Sequence, residues 1–329
     1  MTHAIASRLG IVAKSPPERA RFRQLIVSLL ATADATIVSS LTGVYERCTG
    51  EWRGLMQNLT TLELCRDVSD RLRAEASAAG LHYTELAENI LRANLRSHGT
   101  KLYQASTSAA LVQGVLQGSI SSAVLLGFGD FGVGTFEHLD GEMVILDGEI
   151  FQVCADHEIK QRSDEFKVPF AQVCWFDSPQ TCSLLEITDL ASLEKTCDLC
   201  RSSDNLFYAF RINAHFDSIH TRTVKITEDG TSLESAGEGE VKFAWNDVPG
   251  TLVGFWSPSF TSSFSVPGYH FHFISDDRSK AGHVLDCSFK TAASRVQALT
   301  DYEVALPSSG VFLKTNLGFD TRSVLRKVE

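Results

Sequence analysis

The chain has 329 residues, more than twice the roughly 150 of one typical domain, so one large domain or two ordinary ones are expected. A hydrophobic fraction of 43% against 21% charged residues supports a buried core and excludes a disordered or collagen-like chain. Thirty Lys and Arg against 40 Asp and Glu give a net charge of -10, which argues against a surface built to coat nucleic acid or anionic membrane.

Charge divides the chain unevenly. Residues 1 to 100 carry 12 basic and 10 acidic side chains, and residues 101 to 329 carry 18 and 30. The change falls near Ser97-His98-Gly99-Thr100 and separates a mainly helical N-terminal module, 1–100, from a larger domain, 101–329. After Pro16-Pro17, Phe22, Leu25, Ile26, Leu29 and Leu30 fall at helical spacing on one face. Basic residues ahead of Leu25–Leu30 imitate a secretion signal, but the apolar run is short and starts deep in the chain. No apolar run reaches the roughly 18 residues of a membrane-spanning helix, and the expected compartment is the cytoplasm. The eight cysteines are accordingly expected to be reduced thiols.

From residue 60 the period changes. Thr60–Cys65 alternates as a strand does, and two helices follow, separated by Gly80. Asp67 is expected to cap the first, burying Val68, Leu72 and Ala76, and Thr84 the second, burying Leu86, Ile90 and Leu95. Residues 60–96 resemble a ribbon-helix-helix module, whose outward strand residues here would be Thr61, Glu63 and Cys65. That face holds no Lys or Arg and one carboxylate, so it suits subunit pairing better than DNA. A plain helical cap meets the same pattern.

Beyond residue 101 the pattern is that of an α+β domain. Leu111–Leu126 reads as helix, and Asp140-Gly141 and Asp147-Gly148 as hairpin turns flanking a strand at Met143–Leu146. Further strands are expected at Phe170–Phe176, Leu206–Ile212, Thr251–Phe255 and within Tyr269–Phe289. Gly127-Phe128-Gly129-Asp130-Phe131-Gly132 has dinucleotide-type glycine spacing, but it follows a helix and carries an aspartate where a phosphate would lie, so it reads as a turn. Cys197-Asp198-Leu199-Cys200 lies in a helix-like, acidic stretch and reads as two ordinary thiols.

The strongest chemical signal is Gly268-Tyr269-His270-Phe271-His272-Phe273, followed by a polar turn and Gly282-His283. On a strand, His270 and His272 share one face. In a symmetric hairpin His272 and His283 are directly opposed, with Cβ atoms roughly 5 Å apart. Three imidazoles then converge, as in a catalytic zinc site with an open fourth position.

Several segments closely resemble the α-acetolactate decarboxylase family. They are Lys101-Leu102-Tyr103-Gln104-Ala105-Ser106-Thr107, Gly129 through Phe136, Leu139-Asp140-Gly141-Glu142-Met143, Asn205-Leu206-Phe207-Tyr208-Ala209, Gly250 through Phe255, Val266 through His272 and Gly282-His283-Val284-Leu285-Asp286. The resemblance runs from about residue 101 to the end. It implies a two-sheet mixed and antiparallel β domain and a zinc-dependent carboxy-lyase, acting as a homodimer, that converts 2-acetolactate to acetoin and CO2. It further implies His270, His272 and His283 as metal ligands, Arg222 as the active-site arginine and substrate contact, Glu142 as the first active-site glutamate and Thr135 as a polar substrate contact. The second glutamate matches Glu329, aligned on Arg326-Lys327-Val328-Glu329. His220 stands where the family often has arginine. The residue types suit the reaction, since a Lewis acid can stabilise the enediolate left by CO2 loss, Arg222 can orient the carboxylate and offset charge, and one of two neighbouring carboxylates stays protonated to return a proton. The rival readings are a same-fold metal lyase for another 2-hydroxy-3-oxo acid, and a metabolite-sensing DNA-binding regulator acting through residues 60–96.

Overall fold

The computed structural model describes residues 38–39, 64–87, 90–91, 99–163, 165–318, 321 and 324–325. The chain divides into two compact units, 1–95 and 96–329. In the first, Val38–Ser39 pairs antiparallel with Leu64–Cys65, and helix α1 (Arg66–Ala79) follows directly. The cap differs from expectation. Cys65 occupies the N-cap position, while Asp67 stands in the first turn, where its charge faces the positive end of the helix dipole. Gly80, at φ 69°, closes α1 by donating its N–H to the carbonyls of Ala76 and Ser77. The next helix has already begun at Tyr83, so Thr84 lies inside it. Ala76 is buried as expected, Val68, Leu72 and Leu86 are half-buried, and Ile90 is 41% exposed. The expected helix at Phe22–Leu30, together with Thr61, Glu63, Leu95 and Glu329, lies outside the described residues.

The second unit is α+β and, among its described residues, holds two large sheets and a short two-stranded pairing of Ile120–Ser121 with Lys167–Val168. The strands of the large sheets are β1 (Lys101–Ala105), β2 (Phe131–Thr135), β3 (Glu142–Leu146), β4 (Glu149–Val153), β5 (Ile159–Arg162) and β6 (Phe170–Cys174), then β7 (Thr181–Ile187), β8 (Phe207–Thr223), β9 (Val241–Ser257), β10 (Gly268–Ser275), β11 (Ala281–Leu299) and β12 (Asp301–Ala305). A seven-stranded sheet runs β12-β1-β6-β2-β3-β4-β5, antiparallel except for the parallel β12–β1 pair. A five-stranded antiparallel sheet runs β7-β11-β8-β9-β10 and curls until β10 also pairs with the start of β11.

Strand alternation decides which side chains fill the space between the sheets. Phe131, Val133, Val144, Leu146 and Phe151 of the first meet Ala209, Val253, Phe255 and Ile274 of the second. The far face of the second sheet packs Phe210, Phe271, Phe273 and Phe289 against Leu193 and Cys197 of an outer helix, Leu190–Asp198. Tyr103, Met143, Ile145 and Val173 cover the far face of the first sheet with Leu125. Thr135 and Glu142 continue the inter-sheet rows of Val133 and Val144, so polar groups replace the apolar core at one end of that layer.

The hairpin at Asp147-Gly148 forms as expected, with φ 55° and 81° in the two-residue turn from Leu146 to Glu149. Asp140-Gly141 instead ends a longer connection that contains a short 3₁₀ turn, Glu137–Leu139. The helix expected at Leu111–Leu126 is two short helices, α2 (Ser108–Val112) and α3 (Ser122–Leu126), each capped by its own hydroxyl, Thr107 and Ser121. Gly114, at φ 74°, breaks the run, and the apolar spacing there reports burial without helical continuity. The glycine-rich turn ends at Asp130, and Phe131 and Gly132 instead belong to β2, where a Cβ on Gly132 would lie 2.5 Å from the Gln172 carbonyl oxygen.

The expectation of eight reduced thiols is corrected at one pair: Cys182 and Cys200 form a disulfide. Asp189 and Ser192 make a capping box that starts the helix Leu190–Asp198, here α4. It returns about 14 Å, close to the roughly 17 Å that β7 advances from Cys182 to its end, so its C-terminus meets the start of that strand. Cys197 stays a free, buried thiol of the core beneath α4. Among the described residues no helix is long and apolar enough to cross a membrane.

Candidate active site

β10 and β11 form the expected hairpin, and their register pairs Ile274 with Ala281, Phe273 with Gly282 and His272 with His283. Tyr269, Phe271 and Phe273 pack toward α4, which leaves His270 and His272 on the inter-sheet face. His283 reaches that face through a register shift. His220 pairs with Asp286 but Thr221 pairs with Val284, so Leu285 is an extra residue in β11. Val284 and Cys287, three residues apart, therefore both enter the core under α4, and His283 turns with its cross-strand partner Arg222 toward the inter-sheet side. Gly282 permits the close approach, since a Cβ there would come within 2.8 Å of the Arg222 carbonyl oxygen.

The three rings lie with centroids 4.9, 5.0 and 5.4 Å apart, and one nitrogen of each falls within 4.8 Å of the others. All three are buried. Burial, followed by the charge of Arg222, lowers His270 to about 3. Burial, followed by neighbouring His270, holds His272 well below the ordinary histidine value. Both rings are thus neutral at neutral pH, the form that binds a cation. His272 Nδ1 donates to the Met143 carbonyl at 2.8 Å, which fixes the tautomer and leaves Nε2 as an acceptor. That Nε2 is buried with no hydrogen-bond partner among the described residues. A buried acceptor of this kind calls for a ligand, and the donor set fits a divalent metal ion.

The charged side of the site comes from other strands. Glu142 opens β3 opposite Thr135 of β2, whose hydroxyl donates to the Gly141 carbonyl at 2.8 Å. Arg222 Nη1 donates to Glu142 Oε1 at 2.9 Å, and Glu142 Oε2 lies 3.6 Å from His272 Nε2. Both partners of this ion pair are buried at 7% exposure, although sequence pattern alone makes one a strand-start residue and the other an edge-strand charge. At the opposite edge of the guanidinium, Glu240 Oε2 lies 3.5 Å from Arg222 Nε, and Glu240 Oε1 lies 2.7 Å from Lys242 Nζ. A cavity of about 260 Å³ is lined by Thr135, Glu142, Arg222, His270 and His283, by apolar Leu111, Leu139, Phe170, Val224 and Leu233, and by Glu234, Glu238 and Glu240.

The fold thus brings Thr135, Glu142, Arg222, His270, His272 and His283 to one place, while Glu329 is outside the described residues. Sequence reading missed Glu234, Glu238 and Glu240. They sit in a glycine-interrupted acidic stretch that looks like a solvated loop, and it is carried to the cavity by the β8–β9 pairing of Arg222 with Lys242 and by a short helix, Leu233–Gly237, packed on Leu111 and Val112.

The model of the alpha-acetolactate decarboxylase family matches residues 102–318. The chain belongs to that family. It is 37% identical over 246 residues to an alpha-acetolactate decarboxylase from Methanosarcina mazei, covering 74% of this chain and 85% of that protein. It is 34% identical to one from Raoultella terrigena, covering 75% and 99%. The structure of acetolactate decarboxylase from Bacillus subtilis subspecies spizizenii superposes with a TM-score of 0.67 at 30% identity, covering 70% of this chain and 100% of that one. Family membership makes this chain a carboxy-lyase, and the matched span contains the whole cavity lining described above.

Proposed function

We propose that this chain catalyses zinc-dependent decarboxylation of 2-acetolactate to acetoin and CO2. The observation that carries the reading is the meeting of three buried imidazoles with a buried Arg222–Glu142 pair at one cavity. His270, His272 and His283 would hold a divalent ion, which would supply Lewis acidity to stabilise the enediolate. Imidazole donors suit zinc, and the family resemblance favours it over iron.

Arg222 binds the carboxylate that will leave, and Thr135 gives the substrate a polar contact. When the bond to that carboxylate breaks, its electron pair passes onto the ketone as an enediolate, and a carbon must then be protonated on one face. Glu142 stands beside this position and holds or delivers the proton, with Glu329 as the second carboxylate of the pair; two nearby carboxylates favour one protonated form. Leu111, Leu139 and Phe170 exclude water that would otherwise compete for the proton. In this reading residues 101–329 carry catalysis, residues 1–100 promote self-association, and the protein works in the cytoplasm as a homo-oligomer.

The test is CO2 release from racemic 2-acetolactate, with and without a chelator and after return of zinc, manganese or iron. Chelation should abolish release and zinc should restore it. Undiminished release from metal-free protein, or none from either enantiomer, overturns the reading.

A further inference from the structure

We propose that Glu240 is the positioning residue of Arg222, drawing the Nε side of the guanidinium toward itself and so fixing how the guanidinium faces the substrate carboxylate. The identity of the substrate rests on the function proposed above. In the β8–β9 pair, Arg222 and Lys242 are directly opposite one another, a like-charge arrangement that is unfavourable unless something lies between them. Glu240 lies two residues before Lys242, on the same face and diagonal to Arg222, and gives one oxygen to each cation. Glu142, from the other sheet, takes Nη1. The planar guanidinium is therefore hydrogen-bonded to Glu142 at Nη1 and ion-paired with Glu240 at Nε, two carboxylates from different segments that together bias its rotation as well as its location. Glu240 itself keeps 25% of its side chain exposed and lines the cavity, so the contact reaches the place where substrate binds.

A positioning role and a bulk-charge role predict opposite signs. Removing a negative charge beside the cavity would by itself favour an anionic substrate and lower KM. Releasing the guanidinium would weaken its grip on the carboxylate and raise KM. The carboxylate is still held while its bond begins to break, so the grip is about equal in bound substrate and transition state, and its loss raises KM with kcat little changed.

The experiment compares Glu240→Gln in the wild-type and Arg222→Lys backgrounds, all metal-loaded, since lysine has no Nε to hold. In the wild-type background KM for 2-acetolactate should rise about tenfold with kcat within about twofold. In the Arg222→Lys background the same change should move KM by less than about twofold. A KM that falls or stays constant, or a tenfold rise that persists without Nε, overturns the proposal. A second readout needs no turnover: with arginine labelled at Nε, the Arg222 N–H resonance, assigned by its loss in Arg222→Lys, should exchange faster with water in Glu240→Gln. Unchanged exchange overturns the proposal as well. Wild-type protein that releases no CO2 defeats the functional reading, while the resonance still decides the role of Glu240.

Discussion

The histidine side of the cavity comes from one hairpin, whereas its charged side is gathered from strands on two sheets, with Glu142 and Arg222 lying 80 residues apart. The difference is energetic as well as topological. Neutral imidazoles can be buried with modest cost and wait for a cation, so each can be removed without stranding a charge. A guanidinium and a carboxylate at 7% exposure must be compensated where they stand, and removing either takes from the other a buried partner at 2.9 Å. The first region is thus expected to fail by losing metal and the second by losing both rate and stability.

The largest effect should come from breaking the histidine side. His272→Ala removes the ring whose tautomer is set by the Met143 carbonyl, and should reduce bound zinc to background and CO2 release by about a thousandfold or more, the scale of a lost Lewis acid. Elemental analysis and an acetoin assay on the same preparation check this. Full zinc occupancy in the variant would mean that the hairpin is not the metal site.

Next in size is the charged side. Arg222→Ala should lower kcat/KM by about a hundredfold, as for the loss of one preorganised donor. It should also destabilise the fold by about 3 kcal/mol, because the buried Glu142 carboxylate loses the guanidinium that pairs with it at 2.9 Å. Adding Glu142→Gln to this variant should recover much of the lost thermal stability and none of the rate. If Arg222→Ala unfolds at the wild-type temperature, the two sides of the site do not differ as argued.

The same contrast explains what the sequence made legible. Strand alternation and hairpin symmetry are local rules, so the opposition of His272 and His283 and the turn at Asp147-Gly148 follow from spacing. The resemblance to the family pointed to Glu142 and Arg222, but their burial and mutual contact depend on how two sheets face each other, which no local period encodes. The acidic stretch of Glu240 was hidden for the same reason. Apolar residues at 111–126 mimicked a helix because close packing against other elements also demands them, and Gly114 marked the break. Cys182 and Cys200 could not be matched by spacing, since their pairing requires α4 to retrace the path of β7. The expected cap at Asp67 failed by two positions, with Cys65 taking that place.

The smallest expected effect tests the register shift that joins the two sides. His283 and Cys287 are four residues apart on β11, and regular alternation would put them on one face; the extra residue at Leu285 puts the histidine at the cavity and the thiol under α4. Burial there, with added repulsion from Asp286 and Asp189, pushes the Cys287 thiol up to about 12 from an ordinary value of 9.0. The native state therefore keeps a proton that the unfolded chain releases near pH 9, so this contribution to stability is complete below pH 9 and is lost as pH rises toward 12. Cys287→Ala should flatten the fall of Tm above pH 9 slightly, and native wild-type protein at pH 8 should resist alkylation at Cys287 for as long as the fold persists. Rapid alkylation of Cys287 in folded, zinc-loaded protein would put the thiol on the cavity face with His283. The bulge would then not be what separates the apolar side of this strand from its catalytic side.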